Sequence, residues 1–237
     1  MALMSPLHRN GRPRTFNREA ALRKALAVFW QRGYEPASMT ELCNAMGINT
    51  SSLYAAFGNK ARLFMESVQY YNNMYWDALW EELEAATDLN QALRDFFHNA
   101  ARILTSQQVP CGCIVISGTT NVSAQSQDLN EEMKALREGN RKRLLHRLER
   151  GVQDGHLSRQ TDIEALAFTL NAILEGMSNQ ARDGVSCAAL KNVASTVAAL
   201  LQGCDTALSW PNIDLIKLSD SPLSKISDST KHTEVDQ

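Results

Sequence analysis

Long apolar runs are missing from this 237-residue chain, and with them the roughly 20 consecutive apolar residues that a membrane-spanning helix needs. The opening stretch MALMSPLHRNGRPR turns polar and basic almost at once, without the apolar region of a secretory leader. The expected location is therefore the cytoplasm, with no membrane partner. Cysteine is sparse: five residues, an odd number far below the density of a disulfide scaffold, which fits free thiols in a reducing compartment. Glycine-rich phosphate loops are absent. The five histidines, His8, His98, His146, His156 and His232, are scattered and belong to no nucleophile or metal constellation. The chain is therefore not expected to be an enzyme, and neither a cofactor nor a metal ligand set is assigned.

What is present is an ordinary 44% hydrophobic, 21% charged composition, long enough for one or two domains with a real core. The net charge of −2 conceals an asymmetry. Residues 1 to 60 hold eight Lys and Arg (Arg9, Arg12, Arg14, Arg18, Arg23, Lys24, Arg32, Lys60) against Glu19, Glu35 and Glu41, a balance of +5, which leaves −7 for the remainder. A basic N-terminal module on an acidic body is the pattern of a domain that docks on phosphate while the rest avoids it. A merely solvated charged surface is the plainer alternative.

The richest stretch runs from Ser38 to Lys60, SMTELCNAMGINTSSLYAAFGNK. Ser38 with Glu41 three residues on forms a capping box, so a helix begins there. Leu42, Cys43 and Met46 follow at helical spacing, and Gly47 ends the helix. Asn49 caps a second one with Leu53 and Phe57 on one face, and Gly58 ends it. Two short helices across a glycine turn make a helix-turn-helix, whose second member can enter the major groove. Its free face presents Asn49, Thr50, Ser51, Ser52, Tyr54 and Ala55, small polar groups and one phenol suited to phosphates and base edges. Thr40 on the preceding helix joins that set. The same geometry also fits a helical hairpin in any α-helical domain.

The run Ile48-Asn49-Thr50-Ser51-Ser52-Leu53-Tyr54-Ala55-Ala56-Phe57-Gly58-Asn59-Lys60 resembles the DNA-binding signature of the tetracycline-repressor-like (TetR/AcrR) family of bacterial transcription regulators: an apolar residue, a polar run, Leu-Tyr-x-x-Phe and a capped Lys, without gaps. The resemblance extends through Arg12-Pro13-Arg14, Ala21, Leu26, Phe29 and the Arg32-Gly33-Tyr34 turn, and covers roughly residues 12 to 64. Gly58 stands where many members have Pro, and Ala55 and Ala56 where larger polar residues are frequent, so fewer direct base contacts are expected. The resemblance implies an all-α protein, a homodimer on palindromic double-stranded operator DNA, most often a repressor, released by a small-molecule effector in a C-terminal helical domain.

Residues 1–16 lack apolar periodicity and read as a basic arm whose Arg12 and Arg14 can reach the minor groove or backbone. The helix-turn-helix domain spans 17–64. Asn17 caps its first helix, which buries Leu22, Leu26 and Phe29 and ends at Gly33. Lys60 follows the Asn59 cap, where the cation and nearby N–H groups can bind one phosphate. Residues 65–204 read as the helical effector-binding and dimerisation domain. One helix is expected from Asn59 to about Ala86, with Trp76, Leu79, Trp80 and Leu83 joining a second core. Asp88 caps another, striped by Leu89, Leu93, Phe96, Phe97, Ala100 and Leu104.

The segment Pro110 to Ile116 breaks the helical pattern. Ile114-Val115-Ile116 has strand propensity but no strand to pair with, so a short helix is expected. Cys111 and Cys113 are too few for a structural zinc site; small buried residues without chemistry are the plainer reading, and the alternative is a thiol- or metal-responsive regulator on the same scaffold. A long helix from about Gln127 to Asp154 carries Leu129, Met133, Leu136, Leu144, Leu148 and Val152. Its basic run Arg141, Lys142, Arg143, Arg147, Arg150 reads as a solvated face. Thr161 with Glu164 forms a second capping box, and Ser186 opens the last helix. The stripes Ile163, Leu166, Leu170, Ile173, Met177 and Leu190, Val193, Val197, Leu200 have coiled-coil-like spacing, and such a pair can double across a two-fold axis. The family forms its dimer with these two helices, and keeps a pocket among the central ones. The pocket candidates here are Trp76, Phe96, Phe97, Met133, Phe168 and Asn171. Residues 205–237, rich in Ser, Asp, Thr and Lys, are expected to be a disordered tail, with Ile213 to Leu218 the one stretch able to dock.

Overall fold

Residues 17–203, apart from 108, 120–122, 124 and 125, are described by a computed structural model, and every regular element among them is a helix. Local capping explains where the first four begin. Asn17 Oδ1 accepts the Ala20 N–H at 2.9 Å and starts α1, Arg18–Arg32, which buries Leu22, Leu26 and Phe29. Ser38 Oγ accepts the Glu41 N–H at 3.1 Å and starts α2, Met39–Met46. The Glu41 carboxylate receives Arg32 Nε at 3.2 Å, which ties α2 to the end of α1. Gly47 then adopts φ 72°, ψ 33°, the left-handed conformation that only glycine enters without cost. Asn49 Oδ1 caps α3, Thr50–Phe57, through the Ser52 N–H at 2.8 Å, and Asn59 Oδ1 caps α4, Lys60–Tyr75, through the Arg62 N–H at 2.8 Å.

Aromatic packing joins α1 to α4. Phe29 meets Phe64 edge-on at 5.0 Å, and Trp30 meets Tyr71 edge-on at 4.6 Å. Such pairs contribute about 0.5–1.5 kcal/mol each beyond their buried area. The helix expected to continue to Ala86 is instead interrupted at Trp76 (φ −116°, ψ −34°), after which α5 runs Asp77–Ala85. The indole turns into the core, where Nε1 donates to the Tyr71 hydroxyl at 2.7 Å. The expected second core is present, with Trp76, Leu79, Trp80 and Leu83 all buried.

Asp88 Oδ1 accepts the Gln91 N–H at 2.8 Å and opens α6, Leu89–Leu104, whose expected stripe is buried throughout. The segment after Pro110 forms α7, Ile114–Ser117, a helix as expected. Then come α8, Gln127–Gln153, α9, Ile163–Arg182, and α10, Cys187–Gly203. The principal packing pairs are α6 with α10 and α8 with α9.

Two expectations are corrected here. The basic run on α8 is not simply a solvated face. Arg147 is 1% exposed, donating from Nε to the Leu83 carbonyl (3.0 Å) and from its terminal nitrogen to that of Ala86 (3.1 Å). Arg150 donates to the Glu84 and Ala86 carbonyls, and Arg143 pairs with the Glu84 carboxylate at 2.8 Å. The last carbonyls of a helix lack intrahelical donors and carry partial negative charge; these arginines satisfy that end of α5 from another element. Thr161 does not cap α9: Asp162 does, accepting the Ala165 N–H at 2.9 Å, while Glu164 pairs with Arg141 at 3.1 Å. Leu166, Leu170, Met177, Leu190 and Val197 are buried within the single chain, while Ile163, Ile173 and Val193 are half-buried. Most of each apolar stripe is covered within the chain, and the half-buried residues lie at its edge. Ser186 does open α10, accepting the Ala189 N–H. The side chain of Leu200, the arm 1–16 with Arg12 and Arg14, and the tail 205–237 lie outside the described residues. Among the described residues no helix is long and apolar enough to cross a membrane.

Candidate nucleic-acid interface and effector cavity

Helix α3 turns Leu53 and Phe57 into the core and leaves Asn49, Thr50, Ser51, Ser52, Tyr54 and Ala55 exposed, Tyr54 by 49%. Thr40 on α2 is exposed beside them. Part of this polarity is already engaged: Asn49 Oδ1 also accepts from Ser51 Oγ at 2.8 Å, and Thr50 Oγ1 lies 3.8 Å from Cys43 Sγ. The hydroxyls of Ser52 and Tyr54 and the amide N–H₂ of Asn49 remain to meet a ligand. Depressions flank the helix on both sides. One is lined by Thr40, Asn44 and Thr50, the other by Asn17, Lys24, Ser52 and Ala55. An exposed helical ridge between two depressions is the shape that fits a major groove and its two phosphate walls.

The basic charge of the module is distributed unevenly. Arg18 pairs with Glu66 and lies 4.6 Å from the Phe57 ring, and Arg32 pairs with Glu41. Lys60 is half-buried. Its Nζ donates to the Glu35 carbonyl at 3.1 Å and sits 4.5 Å over the Tyr34 ring, and burial pushes its pKa down against the opposing pull of Glu35. Arg23 and Lys24 stay exposed on α1.

A second site lies among the C-terminal helices, a cavity of about 50 Å³ lined by Asn72, Trp76, Asp77, Trp80, Leu104, Cys113, Val115, Ile116, Asn140, Arg143 and Leu174. Of the six pocket candidates only Trp76 reaches it. Phe96 packs against Trp80 (4.5 Å) and lines a separate depression of about 210 Å³ between α5 and α6, and Phe97 and Met133 are core. Phe168 is 57% exposed under Arg141, and Asn171 donates to Glu175. Periodicity missed Asn72, Asn140 and Arg143 because they come from three turns of two separate helices and converge only in space. Cys113 is buried, while Cys111 is exposed. Burial raises the Cys113 thiol above its ordinary pKa, opposed by the Tyr71 hydroxyl that hydrogen-bonds to it, and burial raises Tyr71 well above its own. Among the described residues no group of three or more His, Cys, Asp or Glu side chains converges as a metal site.

Comparison with known proteins agrees with this geometry. A family model described as bacterial regulatory proteins, tetR family, matches residues 21–66, and one described as tetracyclin repressor-like, C-terminal domain, matches residues 90–202. The HTH-type transcriptional repressor ComR of Escherichia coli is 35% identical over 206 residues, 86% of this chain and 93% of ComR. The repressor BdcR of the same organism is 28% identical over 200 residues, 84% of this chain and 94% of BdcR. A cysteine-substituted form of the TetR family regulator CifR, solved with 26-base-pair double-stranded operator DNA, superposes with a TM-score of 0.76 at 33% identity, covering 84% of this chain and 100% of that one. The exposed capped α3, the all-helical body behind it and these matches over both parts place the chain in the TetR family of bacterial transcriptional regulators.

Proposed function

We propose that this regulator is a repressor that holds palindromic operator DNA as a homodimer and releases it when a small molecule enters the cavity of its C-terminal helices. The observation that carries the reading is α3, capped at its start, anchored by Leu53 and Phe57, and exposed along the face from Asn49 to Ala55. Two such helices related by a two-fold axis read half-sites about 34–36 Å apart, or a multiple of that. CifR, the relative solved with operator DNA, supports the partner. For the second copy, the surface left over by the core is the face of α9 with Ala165, Phe168, Thr169 and Ala172, and of α10 with Asn192, Thr196 and Ala199, all exposed. Half-buried Ile173 and Val193 lie at its margin.

The cavity supports the release step. At about 50 Å³ it holds a few waters, against the roughly 300–1,000 Å³ of a typical ligand site. An effector must therefore part the elements that line it, among them α4 just before its interruption at Trp76. A coupling of about 1–3 kcal/mol suffices for release. The alternative, a thiol or metal response through Cys111 and Cys113, has less support, because burial disfavours the reactive thiolate at Cys113.

Replacing Tyr54 by Ala tests the reading. Tyr54 is half-exposed, so the fold should hold while affinity for every duplex falls. Unchanged affinity for a duplex selected by the wild-type chain would remove α3 from the interface.

A further inference from the structure

The turn between α1 and α2 is bonded on two sides, and each side leads to a different function. We propose that Glu35 is a positioning residue that ties the helix-turn-helix to the walls of the effector cavity, so that movement of α7 or of the start of α8 is felt at Lys60. The inference rests on the DNA-binding reading above and adds to it a route by which the cavity reaches the DNA-binding module.

The cavity side of this connection is explicit. Cys113, Val115 and Ile116 line the cavity, and two residues later the Gly118 carbonyl accepts the Tyr34 N–H at 2.9 Å. One carboxylate oxygen of Glu35 then collects three donors: the Ser123 N–H at 2.9 Å, Ser123 Oγ at 2.8 Å and Ser126 Oγ at 2.8 Å. These bonds, the backbone one foremost, hold the Glu35 carboxyl below its ordinary pKa, as expected for a charge-assisted cluster. Ser126 immediately precedes α8, which supplies Asn140 and Arg143 to the same cavity. Neither attachment is itself on the cavity wall, but Gly118 lies two residues past the lining Ile116, and Ser126 leads into the helix whose later turns supply Asn140 and Arg143.

The DNA side is equally short. Lys60 Nζ donates to the Glu35 carbonyl and lies over the Tyr34 ring. An ammonium has three donors; one is used here, which leaves two for a phosphate and removes much of the freedom of a long flexible side chain. Lys60 is thus aimed by the dipeptide Tyr34-Glu35, and that dipeptide is aimed by α7 and the start of α8. An effector that enlarges the cavity by shifting α7 withdraws Gly118, and the aim of Lys60 goes with it. Ser123 is exposed and Glu35 half-buried, so their hydrogen bonds add little to global stability. Their value is geometric.

A double-mutant cycle separates positioning from structure. The full chain selects a duplex from a random pool, and affinity for that duplex is measured across a salt series for the wild type, K60A, the S123A/S126A pair, E35A, E35Q, and K60A combined with S123A/S126A. Melting temperatures of S123A/S126A and E35Q should match the wild type. K60A should lower the slope of log K against log salt by about one. E35A should weaken binding by about fivefold or more; S123A/S126A, which keeps the Ser123 N–H bond, should weaken it less, and E35Q, whose side-chain oxygen still accepts, should retain most of the affinity. Adding S123A/S126A to K60A should cost nothing further. Wild-type affinity in E35A, or losses that multiply in the combined variant, overturns the connection and leaves the DNA-binding reading standing. A wild-type chain that selects no duplex overturns that reading and the connection together.

Discussion

Replacing Gly118 by Ala should act as a built-in wedge between the two halves of the molecule. Gly118 is buried at the end of α7 with φ −65°, so the backbone itself tolerates a side chain. Space does not: an added Cβ would lie 2.5 Å from the Ile114 carbonyl oxygen and 2.9 Å from Phe64 Cζ on α4, where ordinary contact begins near 3.4 Å. The carbonyl belongs to α7 itself and Phe64 is fully buried, so relief requires the end of α7 to unwind from Ile114 and to move away from α4 by a substantial fraction of an ångström. Overpacking of this kind costs about 1–3 kcal/mol. The Gly118–Tyr34 hydrogen bond, at 2.9 Å, adds a further loss of about 0.5–1.5 kcal/mol if it breaks. Together these predict a fall in melting temperature of roughly 3–18 °C for a chain of this size, read by circular dichroism. Because the displaced contact is the one that aims the α1–α2 turn, anisotropy with a selected duplex should also show weaker binding at a temperature where the variant is fully folded. A melting temperature within about a degree of wild type, with unchanged affinity, would refute the claim that α7 is packed tightly against the DNA-binding module.

Arg147→Ala should destabilise the chain by about 3–5 kcal/mol, because it empties a fully buried side-chain volume and leaves the Leu83 carbonyl without its donor, although Arg150 still reaches Ala86; chemical denaturation measures this, and a loss under about 1 kcal/mol would contradict the capping role. Iodoacetamide at neutral pH should modify exposed Cys111 well before Cys113, whose thiol is buried and shifted upward; equal labelling rates by mass spectrometry would revive the thiol-sensing alternative.

Much of the fold was legible because its signals are local. Asn17, Ser38, Asn49, Asn59 and Asp88 each cap a helix through a bond to a backbone N–H three residues away, and such bonds need no knowledge of the rest of the chain. The same logic failed at α9, where Thr161 and Asp162 are adjacent and both competent to cap, so only the path of the chain decides between them. The interruption at Trp76 was hidden because the apolar stripe continues across it, and the indole's hydrogen bond to Tyr71 is a partner that spacing does not announce. The buried role of Arg147 depends on carbonyls more than 60 residues away, and a basic run looks the same whether it faces water or a helix end. The stripes of α9 and α10 were read correctly as apolar, but periodicity does not say whether an apolar face is covered by the chain's own helices or by a second copy. On α3, by contrast, the two apolar residues fix which face is buried, and the exposed set follows from them.

In the proposed complex two copies of α3 read one duplex, and sedimentation of the full chain with a duplex it has selected at low ionic strength counts them. Two or a multiple of two protomers per duplex are expected, with affinity falling steeply as salt rises; a stable one-to-one complex, or no complex with any duplex, would contradict the two-fold arrangement.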